Sequence, residues 1–272
     1  MSVSTSSAPA PNFARRRDLW WQFTVRTVEQ RHRGSHLGLV WALLTPLLML
    51  GLYFVVFSLI LKGNLGALPD ETPTDYALAI FLGLILYQLL AESFVAAPGI
   101  IVGNPNLVKK VVFPLEILPL AHLGAIWFHS LISLGLLLLG AAFFGRGLHV
   151  AGLVWLPVIL APLALLSIGI GWLFSALGVF FRDITQAMPF FTQILLYVSL
   201  VFFPVSKVPP DLMLILKWNP LLHTITLARS AVLWDLPLNY RHLAYTYVVG
   251  AAVFFAGRWA FLKLKPTFAD VL

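Results

Sequence analysis

Long uncharged runs alternate with short polar breaks along most of the chain, and the runs are close to the length a membrane crossing needs. A helix rises about 1.5 Å per residue, so roughly 20 apolar residues span about 30 Å of hydrocarbon. Residues 37–61 contain no Asp, Glu, Lys or Arg and predict a first span. A polar loop with Pro69, Asp70, Glu71, Pro73 and Asp75 follows. Residues 76–97 predict a second span with one acid, Glu92, and Pro98-Gly99 ends it. A basic loop runs from Asn104 to Lys110, and 117–144 predict span three. Arg146 and His149 mark the next turn. Span four lies within 150–181, in an uncharged stretch longer than one crossing requires, so the pattern leaves its start open. Arg182-Asp183 break the chain before span five at 184–203, and 242–262 predict span six.

Residues 204–241 depart from this rhythm. Asn219-Pro220 is a helix start, with Asn as N-cap and Pro at the first helical position. A helix from Pro220 to Trp234 would be about 22 Å long, too short to cross. A shorter one is predicted from Asp211 to Lys217. Both are apolar, and apolar helices too short to span lie in the interface or re-enter the membrane under cover of protein.

At the other end of the chain, residues 15–35 predict an amphipathic helix lying along the membrane. At about 100° per residue, Arg15, Asp18, Gln22, Arg26 and Glu29 share a polar arc. Trp20, Trp21, Phe23, Val25 and Val28 fall opposite. The pattern therefore predicts an all-α membrane protein. It has six transmembrane helices, an N-terminal interface helix, and two short re-entrant or interfacial helices on the outer side between spans five and six. Residues 1–14 read as a disordered tail, 36–265 as one transmembrane domain, and 266–272 as a cytoplasmic tail.

Composition agrees with this picture. The 272 residues are 60% hydrophobic and 11% charged, against about 25% charged in soluble domains. That deficit excludes a water-compatible surface for a body of this size. The net charge of +7 would raise nucleic acid as a partner in a soluble protein. Here Lys and Arg gather at the N-terminus and in short loops, so orientation explains them and nucleic acid is not expected. With the N-terminus inside, twelve of the 18 fall inside, including Arg182, Arg258 and Lys263. Six fall outside: Lys62, Arg146, Lys207, Lys217, Arg229 and Arg241. Both termini are therefore expected in the cytoplasm. Cysteine is absent, which removes thiolate chemistry and Cys-based metal sites. Arg15-Arg16-Arg17 is followed by no clean apolar core, so no cleavable signal peptide is expected.

The stretch Arg31-His32-Arg33-Gly34-Ser35-His36-Leu37-Gly38-Leu39-Val40-Trp41, followed by Leu44-Thr45-Pro46, resembles the entry to span one of ABC-2 type permeases. Asn104-Pro105-Asn106-Leu107-Val108-Lys109-Lys110 is similar to a loop of their polysaccharide-exporting members, and Trp218-Asn219-Pro220-Leu221 to their extracellular segment. Within that family the chain looks like the O-antigen, capsule and teichoic-acid export permeases, from about residue 18 to 265. The resemblance implies a homodimer in the bacterial inner membrane, two cytoplasmic ABC ATPase subunits and a lipid-linked polysaccharide as cargo. It places Arg31, Arg33, Gly34, Asn104, Pro105, Asn106, Lys109 and Lys110 at the ATPase-coupling end. It places Trp218, Asn219, Pro220 and His223 in an outer gate. No cofactor is expected in this chain. ATP and Mg would act through the partner, since no G-x-x-x-x-G-K-[S/T] loop is present.

A sugar path needs aromatic platforms, and Tyr53, Phe57, Phe190, Tyr197 and Phe202 are the candidates in spans one and five. Lipid-facing or packing roles remain open for them. Glu92 is an intramembrane acid, expected near the inner interface and bonded to Gln88 or a basic residue. His122 and His129 are seven apart, which suits packing or hydrogen bonding better than a metal. Three other readings stand beside the exporter: a membrane glycosyl- or acyltransferase, an ion-coupled transporter, and an ABC-2 permease for a drug or small lipid. The outer acids Asp70, Glu71, Asp75, Asp211 and Asp235 show no acid–base or metal pattern, and no internal repeat supports the second.

Overall fold

The computed structural model describes residues 13–60, 63–109, 113–147 and 149–272. The end of the predicted first span at residue 61, Lys62, Lys110 and nearly all of the expected N-terminal tail lie outside these. The described residues are helical throughout their ordered elements, with no strand among them. The helices are α1 (Phe13–His32), α2 (Val40–Tyr53), α3 (Pro73–Val102), α4 (Pro105–Lys109), α5 (Ile117–Phe144) and α6 (Val150–Phe180). They continue as α7 (Ile184–Val198), α8 (Pro210–Leu216), α9 (Pro220–Val232), α10 (Tyr240–Leu264) and α11 (Phe268–Val271). A π-helical segment, Phe54–Ile60, prolongs α2.

Five helices among the described residues are long and apolar enough to cross a membrane: Val40–Phe57, Pro73–Val102, Ile117–Phe144, Val150–Phe180 and Tyr240–Val271. The predicted fifth span is the shorter α7, whose 15 residues cover about 22 Å. Hydropathy continues to Phe203, but the backbone does not. Ser199 donates its hydroxyl proton to the Leu195 carbonyl, and Leu200 turns to φ 50°. A left-handed leucine ends a helix whatever its neighbours' apolarity.

Helix α3 is the central element, with 78% of its most apolar window buried. Thr72 and Asp75 close its N-terminus as a reciprocal capping box. It packs against α5, α6, α7 and α9. The tightest pairing is α6 with α10, where glycines let two backbones touch. A Cβ on Gly257 would fall on the Gly169 carbonyl, and one on Gly250 would meet the Pro162 carbonyl. Small residues do this in membranes because close van der Waals contact replaces hydrophobic drive between helices. By contrast α2 lies at the edge, with 6% of its window buried.

Helix α1 packs along the first half of α5. Trp20 donates its indole N–H to the Leu120 carbonyl, and Thr24 occupies the space over Gly124. The buried line is Thr24 and Val28, while Trp21 is 61% exposed. The contact is thus narrower than the predicted apolar side, because glycine and a small hydroxyl let α1 lie close.

The C-terminal residues are not a loose tail. Lys265–Thr267 make a 3₁₀ turn and α11 follows. Phe268 is fully buried against Phe261 and Phe180.

Candidate functional site

Two ends of the bundle gather the candidate residues. The α1 end is built from α1, α4, the C-terminus of α3, the N-terminus of α5 and α11. Arg31, in the last turn of α1, donates Nη1 to Glu92 Oε2 at 2.8 Å and Nη2 to Glu92 Oε1 at 2.9 Å. This two-pronged pair joins α1 to α3. Glu92, placed by sequence near the inner interface, takes a basic partner rather than Gln88. The hydrogen bond it donates to Glu92 holds the Arg31 guanidinium above its ordinary pKa, against the opposing effect of burial. His32 and His129 meet edge to face at 5.2 Å beside this pair. Together with Tyr53, Gln88 and Ser133 these residues line a cavity of about 230 Å³. His122 lines a different one, with Arg26, Gln30 and Asn104.

Arg33 and Gly34 form the link from α1 to α2, and Gly34 sits at φ 87°, where a side chain is strained. Asn104 donates its side-chain amide to the Ile100 carbonyl at 2.8 Å and so closes α3 before α4 begins. Pro105, Asn106 and Lys109 are exposed on α4. Leu107 and Val108 turn inward onto the cluster of Ile101, Leu115 and Phe268. Lys110 lies outside the described residues. Glu116, at the start of α5, accepts from Lys265 Nζ at 2.8 Å and faces Arg16 at 3.6 Å. Burial pushes the Glu116 carboxyl up, but the Lys265 hydrogen bond and both cations outweigh it and hold it below its ordinary value. Glu116 and Phe268 escaped the sequence reading, and Lys265 entered it only as one of the inside charges. The signal available was an apolar Phe268 in a segment too short to suggest a helix.

The five aromatic candidates divide into two groups. Phe57 stacks on Phe202 at 5.1 Å, with Tyr53 at 6.1 Å and Tyr76 at 6.3 Å from it. Tyr76 donates its hydroxyl proton to the Phe202 carbonyl. This cluster is half-buried packing between the π-helical segment, α3 and the turn after α7. Phe190 and Tyr197 instead stand exposed on α7, at 72% and 53%.

The second end is built from α8, α9 and the start of α10. Asn219 accepts the Leu221 N–H and donates to Ser199 Oγ at 2.9 Å, which fixes the start of α9 at Pro220. Trp218 is 67% exposed, and its carbonyl accepts the Tyr245 hydroxyl. His223 is buried and donates Nε2–H to the Lys217 carbonyl at 2.7 Å, with its ring 4.3 Å from that of His242. Helix α9 is almost wholly buried, so it is covered on more sides than an interfacial helix would be. Arg146, nearby, ties Asp70 and Asp75 together at 3.0 Å each.

Arg229 on α9 was counted by sequence only as one of six charges on the outer side. It is instead 5% exposed, inside the protein. Its Nε donates to the Ala79 carbonyl at 2.9 Å and Nη2 to the Val201 carbonyl at 2.6 Å. Gly83 leaves room for it, since a Cβ there would lie 2.7 Å from Nη2. Its place as the one Lys or Arg of a mainly apolar helix was the sequence signal.

Residues 18–233 match the family model described as ABC-2 type transporter. The chain is 25% identical over 255 residues to the O-antigen export system permease protein RfbA of Klebsiella pneumoniae, covering 94% of this chain and 95% of that one. It is 28% identical over 213 residues to the polysialic acid transport protein KpsM of Escherichia coli, covering 77% and 79%. A Myxococcus xanthus O-antigen export permease is 24% identical over 205 residues, covering 74% and 75%.

Proposed function

Since the chain belongs to the ABC-2 type transporter family, we propose that it is the membrane subunit of an ATP-driven exporter of a lipid-linked polysaccharide. The family makes it a multi-pass transporter subunit rather than an enzyme. The finer assignments are ours: a homodimer in the bacterial inner membrane, with both termini cytoplasmic and a sixth crossing made by α7 together with the apolar turn that follows it to Phe203. Two cytoplasmic ATPase subunits supply ATP and Mg chemistry. The similarity to O-antigen and polysialic acid permeases along most of the chain supports the cargo class.

One observation carries the coupling role. Helix α4 exposes Asn106 and Lys109 while Leu107 and Val108 anchor it on a buried cluster that includes Phe268. A short helix held rigidly from behind and polar in front can receive a push from a separate chain and pass it to α3 and α5. Arg31, Arg33 and Gly34 join α1 to the same end, and Arg31–Glu92 links it to α3. Tyr53, Phe57, Phe190, Tyr197 and Phe202 are assigned to the path, and Trp218, Asn219, Pro220 and His223 to the gate.

Affinity purification of the tagged chain from its native host tests the reading. A separate ATP-binding protein is expected to co-purify, and Lys109→Glu with Asn106→Asp to weaken that association. Transport by the purified chain without any ATPase would overturn the proposal.

A further inference from the structure

A third cavity at the α1 end has a volume of about 390 Å³ and is walled by α1, α5, α6 and α10, without α4. Its floor is apolar, with Leu120 of α5 and Phe261 and Leu262 of α10. Trp20 and Trp172 add indole rings, whose N–H groups are already bonded to the Leu120 and Glu116 carbonyls. Ile117, also in the wall, is the first residue of α5, and Leu262 lies two residues before the end of α10. The cavity therefore sits where two crossing helices leave the hydrocarbon. Tryptophan and basic residues favour this level, because rings suit acyl chains and charged tips suit headgroups.

Arg16, Arg17 and Arg258 belong to the same wall. All three are open to solvent: the side chains of Arg16 and Arg17 are 49% and 71% exposed, and Arg258 is exposed. Long basic side chains lay their stems on apolar surface and keep the charged heads outside it. An apolar cavity is thus rimmed by guanidinium groups. Two carboxylates stand beside them. Glu116, in the wall, accepts from Lys265 Nζ at 2.8 Å and faces Arg16 at 3.6 Å. Asp18 faces Arg17 at 3.8 Å, in a pair open to solvent on both sides. Arg258 has no ion pair among the described residues. Four cations therefore meet two carboxylates, which leaves an excess of two positive charges. The excess favours an occupant with an anionic head, and the floor favours one that is apolar behind it.

We propose that this cavity holds one anionic phospholipid of the surrounding bilayer, with its phosphate at Arg17 and Arg258 and the start of an acyl chain over Trp172 and Leu262. Basic pockets between helices at a membrane surface select anionic headgroups in this way. The volume falls within the range of about 300–1,000 Å³ typical of small-ligand sites. It suits a headgroup and the first carbons of a chain. So placed, the lipid bridges α1 to α10 as a structural partner and is not the transported cargo.

Native mass spectrometry of the full-length purified protein, titrated with phosphatidylglycerol, phosphatidylcholine of the same chains or undecaprenyl phosphate, tests the site. The first phosphatidylglycerol is expected to bind at least about tenfold tighter than phosphatidylcholine. Arg17→Gln and Arg258→Gln should each weaken it about fivefold. Arg182→Gln, at an exposed arginine outside the cavity, should leave it unchanged. Leu262→Trp keeps every charge and fills the cavity from a position 45% exposed. It should weaken phosphatidylglycerol about tenfold with the thermal transition unchanged. Equal affinity for the two phospholipids would overturn the proposal. So would an Arg182→Gln effect as large as that of Arg258→Gln, which means general surface attraction, or an affinity untouched by Leu262→Trp. Undecaprenyl phosphate bound more tightly than phosphatidylglycerol would overturn the bilayer source in favour of a cargo carrier.

Discussion

The two ends of the bundle hold positive charge in opposite ways. At the α1 end, Arg31 meets Glu92, and Lys265 and Arg16 meet Glu116, all in pairs that remain partly open to solvent. At the α9 end, Arg229 is sealed inside and held by two carbonyls. Solvent-screened pairs are individually weak, typically about 0–1 kcal/mol, so they can part and reform at little cost. A desolvated cation held by backbone dipoles cannot move without exposing those dipoles. The α1 end is therefore built to be rearranged and the α9 end to be rigid. That contrast agrees with the coupling end and the gate proposed above.

The largest effect that would break the comparison comes from truncating what is sealed. Arg229→Ala leaves the Ala79 and Val201 carbonyls unpartnered and a hole beside Gly83. The expected loss is about 3 kcal/mol or more, read as a lowered thermal transition of the purified protein. Phe268→Ala should cost about the same by opening a cavity under α4. It should also reduce ATPase co-purification, whereas Arg229→Ala in protein that still folds should not.

A gentler probe is Gly83→Ala. The new methyl lies 2.7 Å from Arg229 Nη2 and 3.3 Å from Val201. Displacing the guanidinium should cost about 1–2 kcal/mol. An unchanged melting curve would mean that Arg229 is not held as described.

At the α1 end the expected effects are small. Glu92→Gln should lower stability by less than about 1 kcal/mol, since the pair is 47% and 29% exposed. The informative readout is export, and the charge reversal Arg31→Glu with Glu92→Arg should recover it relative to either single change. Smaller still is a pH effect at Glu116. Its carboxyl is held below the ordinary 4.5, so its contribution is fully present above that value and lost as pH falls through the lower, folded-state value. Glu116→Gln should flatten the acid limb of the stability profile, and an identical limb would count against the Lys265 pair.

Much of this was legible in the sequence because it depends on local pattern. Uncharged runs of span length give a helical membrane protein, and the Asn219-Pro220 pair marks where α9 begins. Basic loops and the Arg31–Trp41 stretch pointed to the ABC-2 type family. Other features depend on what lies across the fold. Hydropathy could not see that α7 stops at Val198, because the turn at Leu200 is a matter of backbone and not of apolarity. The aromatic candidates could not be sorted into a packed trio and an exposed pair from spacing alone.

The sequence by itself therefore determined the solvent this chain is made for, its helical class and its family, since each follows from residue type along a line. Only the tertiary structure decided which charges are paired. Arg31 and Glu92 are 61 residues apart, and Arg229 and Ala79 are 150 apart. Two cationic side chains that look alike in the chain thus end with different chemistry. One finds a carboxylate at a wet edge, and the other finds carbonyls in a dry interior.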